Sequence, residues 1–328
     1  MEKFKYNSSE TTEDLEKDKL INSLDQEKYG NIIGFDKYPE GRVNNNYVFE
    51  SDSGKFFLKK YNEDVVGKID YIHEVESLMS ENNVPAIEAV DVNTELGFSV
   101  YPYVEGDRSH EYGSEDYQRM GSSLANIHSI THGKEIPENL KEYSSEEDLD
   151  GSKIDDLIKY KEQLHGKVNR DHIDDLFLEY IELKTDLFEK IDLTEDLVTD
   201  DTLIHGDFHA GNLIIDEDSR EVIGICDWDK SKYGSRLQEV ARAYLVIAFG
   251  SGEQNNESSL RIGDDFLEGY RAVLPLIDED FRAGMRARLK SYILNTQLED
   301  SYYKNNSDRM NAFVENRIRI LNTLSEYL

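Results

Sequence analysis

Three polar side chains in the middle of the chain have types and spacing suited to one kind of chemistry. Asp207 and Asn212 lie in Leu203-Ile204-His205-Gly206-Asp207-Phe208-His209-Ala210-Gly211-Asn212-Leu213-Ile214-Ile215, and Asp227 ends the apolar run Val222-Ile223-Gly224-Ile225-Cys226. Two carboxylates and one amide are what phosphoryl transfer requires. One carboxylate accepts or orients the proton of an attacking hydroxyl; an amide oxygen and a second carboxylate bind the Mg²⁺ ions that bridge nucleotide phosphates. Asp207 is the candidate for the first task, Asn212 and Asp227 for the second. Asp and Asn also favour plain turns, but a plain turn does not require an unbroken apolar strand leading into Asp227. A different class stays open beside this one. His205-x-Asp207-x-His209 offers imidazole and carboxylate ligands for Zn²⁺ or Mn²⁺, which would make a metal-dependent hydrolase. Against that, no third and fourth ligand cluster accompanies it.

These residues need strands to hold them, and the flanking runs supply them: Thr202 to Cys226 reads as a short β segment with the polar loop at a strand end. Upstream, residues 12–28 read as a polar helix with Leu15, Leu20, Ile21 and Leu24 near helical spacing. Strands follow at Ile32 to Phe35, Asn46 to Phe49 and Lys55 to Tyr61, with a turn at Ser51 to Gly54. Residues 66–82 read as a helix with Ile69, Ile72, Val75 and Met79 on one face, stopped by Asn82-Asn83-Val84-Pro85. Strands come again at 87–92 and 97–104. Beyond Gly106 the pattern becomes helical: 115–130, 151–190 with a break near Gly166, 241–249 and 261–328. The expected fold is α+β and bilobal, with a small antiparallel β lobe over 1–104 and a larger, mostly helical lobe over 105–328. A cleft of that kind suits a small molecule.

Composition removes other classes. The chain has 328 residues and a formal net charge of −32. Binding nucleic acid or anionic lipid through a basic surface is therefore not expected. One cysteine, Cys226, forms no intramolecular disulfide and no CxxC metal site. The first residues lack the apolar core of a signal peptide, and the longest apolar stretch, Ala243 to Phe249, is too short for a bilayer. A cytoplasmic protein is the expectation. The acidic residues are dispersed, for instance in Glu10 to Asp18, Glu146 to Asp156 and Asp192 to Asp201. Dispersal favours a surface adapted to high salt over a field aimed at a cationic substrate. An acidic cleft would nonetheless suit an amine-bearing acceptor.

His-x-Asp with Asn five positions beyond the Asp is the spacing of the kinase catalytic loop. His205 to Asn212, followed by Ile225-Cys226-Asp227-Trp228-Asp229, closely resembles the aminoglycoside phosphotransferase and choline kinase superfamily, small-molecule kinases with a protein-kinase-like fold. Gly41-Arg42-Val43-Asn44-Asn45-Asn46-Tyr47 resembles the family's nucleotide loop, and Phe57-Leu58-Lys59 its lysine-bearing strand. Ser99 to Gly106 resembles the hinge, and Gly121-x-x-Leu124-Ala125-x-x-His128 the helix before the catalytic loop. Glu239 stands where many relatives carry Asp, and residues 131–200 match nothing assignable.

The resemblance implies an ATP-dependent phosphotransferase using Mg²⁺ and acting on the hydroxyl of a small molecule. It makes Asp207 the catalytic carboxylate, with Asn212 and Asp227 as metal ligands. Lys59 would contact the α and β phosphates, held by Glu74 with Glu76 as the competitor; Leu78, four residues beyond Glu74, favours Glu74. Gly41 and Asn44 would cover the phosphates, and backbone groups at Tyr101, Tyr103 and Val104 would meet adenine. A kinase fold that only binds nucleotide is the remaining alternative, and the complete set Lys59, Asp207, Asn212 and Asp227 argues against it. His205 is expected to brace the loop, while Trp228 and Cys226 are expected in the core.

Overall fold

The structure is a computed structural model that describes residues 12–38, 45–107, 111–135, 137–141, 143, 153–191, 200–250, 255–296, 298–300, 302 and 310–328. It divides into two compact units, Met1–Ser77 with Ile87–Glu105, and Leu78–Ala86 with Gly106–Leu328. The segment Leu78–Ala86, placed with the β lobe by sequence, groups with the helical unit. The reason is local: Ile225 N–H donates to Pro85 O at 2.7 Å, and Ala86 bridges to Ile225.

The first unit is an antiparallel sheet of five strands in the order β1-β2-β3-β5-β4. The strands are β1 (Ile32–Lys37), β2 (Asn45–Ser51), β3 (Gly54–Lys60), β4 (Asp91–Asn93) and β5 (Phe98–Pro102). Alternation assigns the two faces. Tyr47, Phe49, Leu58, Phe98 and Val100 form a buried cluster with Leu20, Leu24 and Tyr29 from α1 (Thr12–Ser23) and α2 (Gln26–Tyr29). The single helix expected over 12–28 is interrupted because Asp25 caps α2, its carboxylate accepting the Glu27 N–H at 2.9 Å. The residues between those core positions, Lys59, Ser99 and Tyr101, belong to the other face, where α4 (Ile69–Glu81) contributes partners after the short α3 (Glu63–Val66).

The second unit is mainly helical: α5 (Ser114–Thr131), α6 (Lys153–Gly166), α7 (His172–Phe188), α8 (Arg236–Gly250), α9 (Asn256–Val273), α10 (Asp278–Leu294) and α11 (Met310–Ser325). The break near Gly166 is real: α6 ends there, and Asp171 caps α7 by accepting from Ile173 and Asp174 N–H. Helices α5 and α9 cross at backbone contact. A Cβ at Gly121 would lie 1.9 Å from Phe266 O, and one at Gly269 would lie 1.9 Å from Gln118 O. Two small residues thus bring His128 on α5 and Tyr270 on α9 within hydrogen-bond reach. Two short ladders complete the unit, β6 (Asp201–Ile204) with β9 (Lys232–Ser235), and β7 (Leu213–Ile215) with β8 (Val222–Ile225). Among the described residues no helix is long and apolar enough to cross a membrane.

Candidate active site

Strand β6 delivers the chain into the loop that carries Asp207, and β7 takes it away. Gly206 turns this loop with φ +80°; a Cβ there would lie 2.1 Å from Lys230 O, so the bend admits only glycine. Asn212 closes the loop. Its Nδ2 donates to Asp207 O at 2.9 Å, and its own carbonyl accepts the Cys226 N–H at 3.0 Å. The β7–β8 ladder therefore sets Asn212 opposite Cys226 and one residue from Asp227. Asp227 itself adopts a left-handed backbone, φ 67° and ψ 58°, which re-aims the chain at the strand end. Cys226, expected in the core, is half-buried.

A buried polar chain fixes the loop from beneath. His205 packs against Trp228 at a tilt, with ring centroids 4.5 Å apart and planes 44° apart. Its Nδ1 accepts the Asp207 N–H at 3.2 Å, so Nε2 carries the proton and donates to Cys226 O at 3.0 Å. Glu239 on α8 accepts the His205 N–H at 3.0 Å, the Gly206 N–H and His128 Nε2 at 2.8 Å. His128 Nδ1 then accepts the Tyr270 hydroxyl at 2.8 Å. Burial pushes both imidazoles below the ordinary value, only partly opposed by Glu239. Burial also works against charge on Glu239, yet the bonds from His128 and Gly206 hold its carboxyl below the usual range. His205 and Glu239 are thus braces, as expected for His205.

Asp207 lies above this brace with both carboxylate oxygens engaged. Lys230 Nζ meets Oδ2 at 2.7 Å, Arg242 Nη2 meets Oδ1, and His209 Nε2 is 4.0 Å from Oδ1. Burial would raise its pKa, but the Arg242 guanidinium and Lys230 ammonium outweigh it and hold the carboxyl at about 2. It is a carboxylate throughout the neutral range. Lys230 and Arg242 escaped the sequence reading. A signal existed in each case: Lys230 closes the turn begun by Asp227, and Arg242 interrupts the apolar middle of α8, one turn from Glu239.

In the first unit, Lys59 is buried on β3, paired in register with Asn46 and Ser99. Its Nζ lies 5.3 Å from the Tyr61 ring centroid. Tyr61 and Tyr101 hydroxyls bond at 2.8 Å, and Tyr101 donates to Glu76 Oε1 at 2.9 Å. Burial, followed by the nearby Glu76 charge, pushes the Tyr101 phenol well up. Glu76 is buried in this cluster and also accepts the Ala89 N–H, whereas Glu74 is exposed on α4. The structure thus places Glu76, the competitor, near Lys59's tyrosine neighbours. Of the hinge residues, Tyr101 pairs with Phe57 in the ladder, Tyr103 N–H already donates to Lys55 O at 3.1 Å, and Val104 is half-buried. Gly41 and Asn44 lie outside the described residues.

The donor set is consistent with Mg²⁺. Because the Asn212 Nδ2 is committed to Asp207 O, its amide oxygen is the atom that could ligate a cation, and Asp227 offers a hard carboxylate nearby; Mg²⁺ binds through one or two such oxygens together with substrate phosphates. The hydrolase alternative fares worse. Both ring nitrogens of His205 are used inside the protein, and among the described residues no group of three His, Cys, Asp or Glu could hold a metal.

Residues 35–276 match the phosphotransferase enzyme family. No curated protein matches the sequence. Among solved structures, the fold is similar to a spectinomycin phosphotransferase, APH(9)-Ia, in complex with ADP and spectinomycin: TM-score 0.66, 18% identity, covering 95% of this chain and 98% of that one. It is similar to the amicoumacin kinase hAmiN (TM-score 0.57, 15% identity, 88% and 90% covered). It is also similar to the choline kinase LicA from Streptococcus pneumoniae (TM-score 0.55, 15% identity, 96% and 99% covered). At these identities the similarity establishes the α+β, protein-kinase-like fold.

Proposed function

The chain belongs to the phosphotransferase enzyme family, and from that premise we propose that it moves the γ-phosphoryl group of ATP to a hydroxyl of a small molecule. The observation that carries the reading is the bonded loop in which Asp207 is an ionised carboxylate, Asn212 closes on its carbonyl, and Asp227 follows across the β7–β8 ladder. The acceptor oxygen forms its bond to the γ-phosphorus, the bond to the β-phosphate bridge breaks, and the hydroxyl proton goes to Asp207. Asn212 and Asp227 would hold Mg²⁺, whose charge would neutralise the phosphates. Lys59 acts as a point charge on the α and β phosphates, and we assign its support to Glu76 rather than Glu74. Such a transition state needs positioning and charge more than covalent help.

Support for a small-molecule acceptor comes from the neighbours, one of which was captured with ADP and spectinomycin. The test is ADP release across alcohols and amino alcohols, with and without Mg²⁺, at low and at molar salt. Mg²⁺- and alcohol-dependent ADP production matching the phosphorylated product supports the reading. Product formed without nucleotide would replace it with the hydrolase. Activity that peaks in molar salt would tie the net charge of −32 to a saline milieu.

A further inference from the structure

Each enzyme that activates a γ-phosphate must choose between its acceptor and water, which carries the same hydroxyl group. In this chain the group that would accept the proton is already held. Lys230 takes Oδ2 of Asp207 at 2.7 Å, Arg242 Nη2 takes Oδ1, and His209 Nε2 stands 4.0 Å from Oδ1. The side chain of Asp207 keeps 16% exposure, so little of the carboxylate faces solvent. A chain with almost twice as many acidic as basic residues thus puts two cations on this one carboxylate.

Arg242 carries a second oddity. It is half-buried on α8, and its Nη1 is buried without a hydrogen-bond partner. A buried unpaired donor is unfavourable, so the guanidinium is not in its best-satisfied position. A phosphate or acceptor oxygen arriving beside it would give Nη1 a partner and loosen the hold on Oδ1. Lys230 differs: its side chain is 63% exposed and lies at the surface of the site.

Building on the proposed phosphotransfer, we propose that Arg242 and Lys230 are positioning residues that set selectivity for an alcohol over water. They occupy the carboxylate of Asp207 until an acceptor large enough to fill the site displaces one of them. The suppressed reaction is hydrolysis: water oxygen bonds the γ-phosphorus, the bond to the β-phosphate bridge breaks, the proton passes to Asp207, and ADP and inorganic phosphate leave. Losing either cation frees an oxygen to do this.

The experiment measures inorganic phosphate released from Mg-ATP with no acceptor present, in the full chain. Arg242→Gln is expected to raise the rate about tenfold or more, a part of what a positioned general base supplies, and Lys230→Gln by less. Arg242→Lys, which keeps the charge, should raise the rate less than Arg242→Gln. Adding Asp207→Asn to Arg242→Gln should abolish the gain and bring the rate to the parent level or below, because the hydrolysis runs through that carboxylate. A purely structural role predicts loss, not gain, in these variants. Nucleotide binding is read in parallel with a fluorescent ATP analogue. If Arg242→Gln binds the analogue like the parent yet hydrolyses no faster, the proposal is overturned. If that variant fails to fold, Lys230→Gln decides alone: a rise supports the proposal, no rise ends it. A parent chain that binds no Mg-ATP would instead overturn the phosphotransfer reading, and this one with it.

Discussion

Lys59 and Asp207 are both largely buried charged side chains, but they are held by different physics. Lys59 is placed by a ladder: strand register sets it between Asn46 and Ser99, and alternation alone decides which face it takes. Asp207 sits on a loop, where no periodicity exists. Its place depends on side-chain bonds from β6, α5, α8 and α9 converging through Glu239, His128 and Tyr270. A ladder tolerates loss of one contact because its neighbours still enforce register. A buried polar chain does not, since each missing member leaves another unpaired.

The largest contrast is expected from truncating the two charges themselves. Asp207→Ala should lower kcat by about 10²–10⁴-fold with nucleotide binding intact, whereas Lys59→Ala should act mainly on the KM for ATP. Steady-state kinetics with both substrates varied separates them. Next, Glu239→Ala should cost about 1–3 kcal/mol or more in urea unfolding, because it strands buried N–H donors, and should lower kcat as well. Equal losses from Ser99→Ala on the ladder would break the comparison. A smaller effect distinguishes the two glutamates of α4. Glu76→Gln should raise the KM for ATP about tenfold, the scale of a charge-assisted bond, and Glu74→Gln by no more than about threefold; the reverse order would restore Glu74.

The smallest effect is on pH dependence. The folded pKa of His128 lies below the ordinary value because burial outweighs Glu239. The unfolded chain therefore binds more protons below about pH 6.5, and the stability from neutral His128 is full above that value and lost as pH falls toward the folded pKa. His128→Gln should flatten the drop in urea midpoint between about pH 7.5 and 5.5 relative to the parent. Comparing slopes cancels the relief of self-repulsion that acid brings to so anionic a chain.

Much of the fold was legible in the residues. The loop at Asp207 stood out because apolar strands frame it, whereas Lys59 was picked out only by the resemblance of Phe57-Leu58-Lys59 to the family's lysine-bearing strand. The sequence reading preferred Glu74 to Glu76, yet helical periodicity puts Glu76 on the stripe of Ile72 and Met79 and leaves Glu74 off it, as their burial shows. Strand β9 was missed because Lys232–Ser235 is half-buried throughout and shows no alternation. The region of α6 and α7 matched nothing, and its interior explains part of that. Lys184 on α7 is fully buried, bonded to Asn295 O at 2.7 Å and Glu299 at 2.5 Å, so a core position there is written with a charged letter. Arg242 belongs to the same kind: a cation on an apolar helix is informative only once its partner is known.

The left-handed backbone of Asp227 restricts which replacements are informative there. Few residue types other than glycine, asparagine and aspartate adopt it without strain. A valine or isoleucine at 227 would twist the β8 hairpin out of register and report on chain geometry, not on ligation. Asparagine keeps the bend while removing the charge, so it is the one exchange that isolates electrostatics at this position.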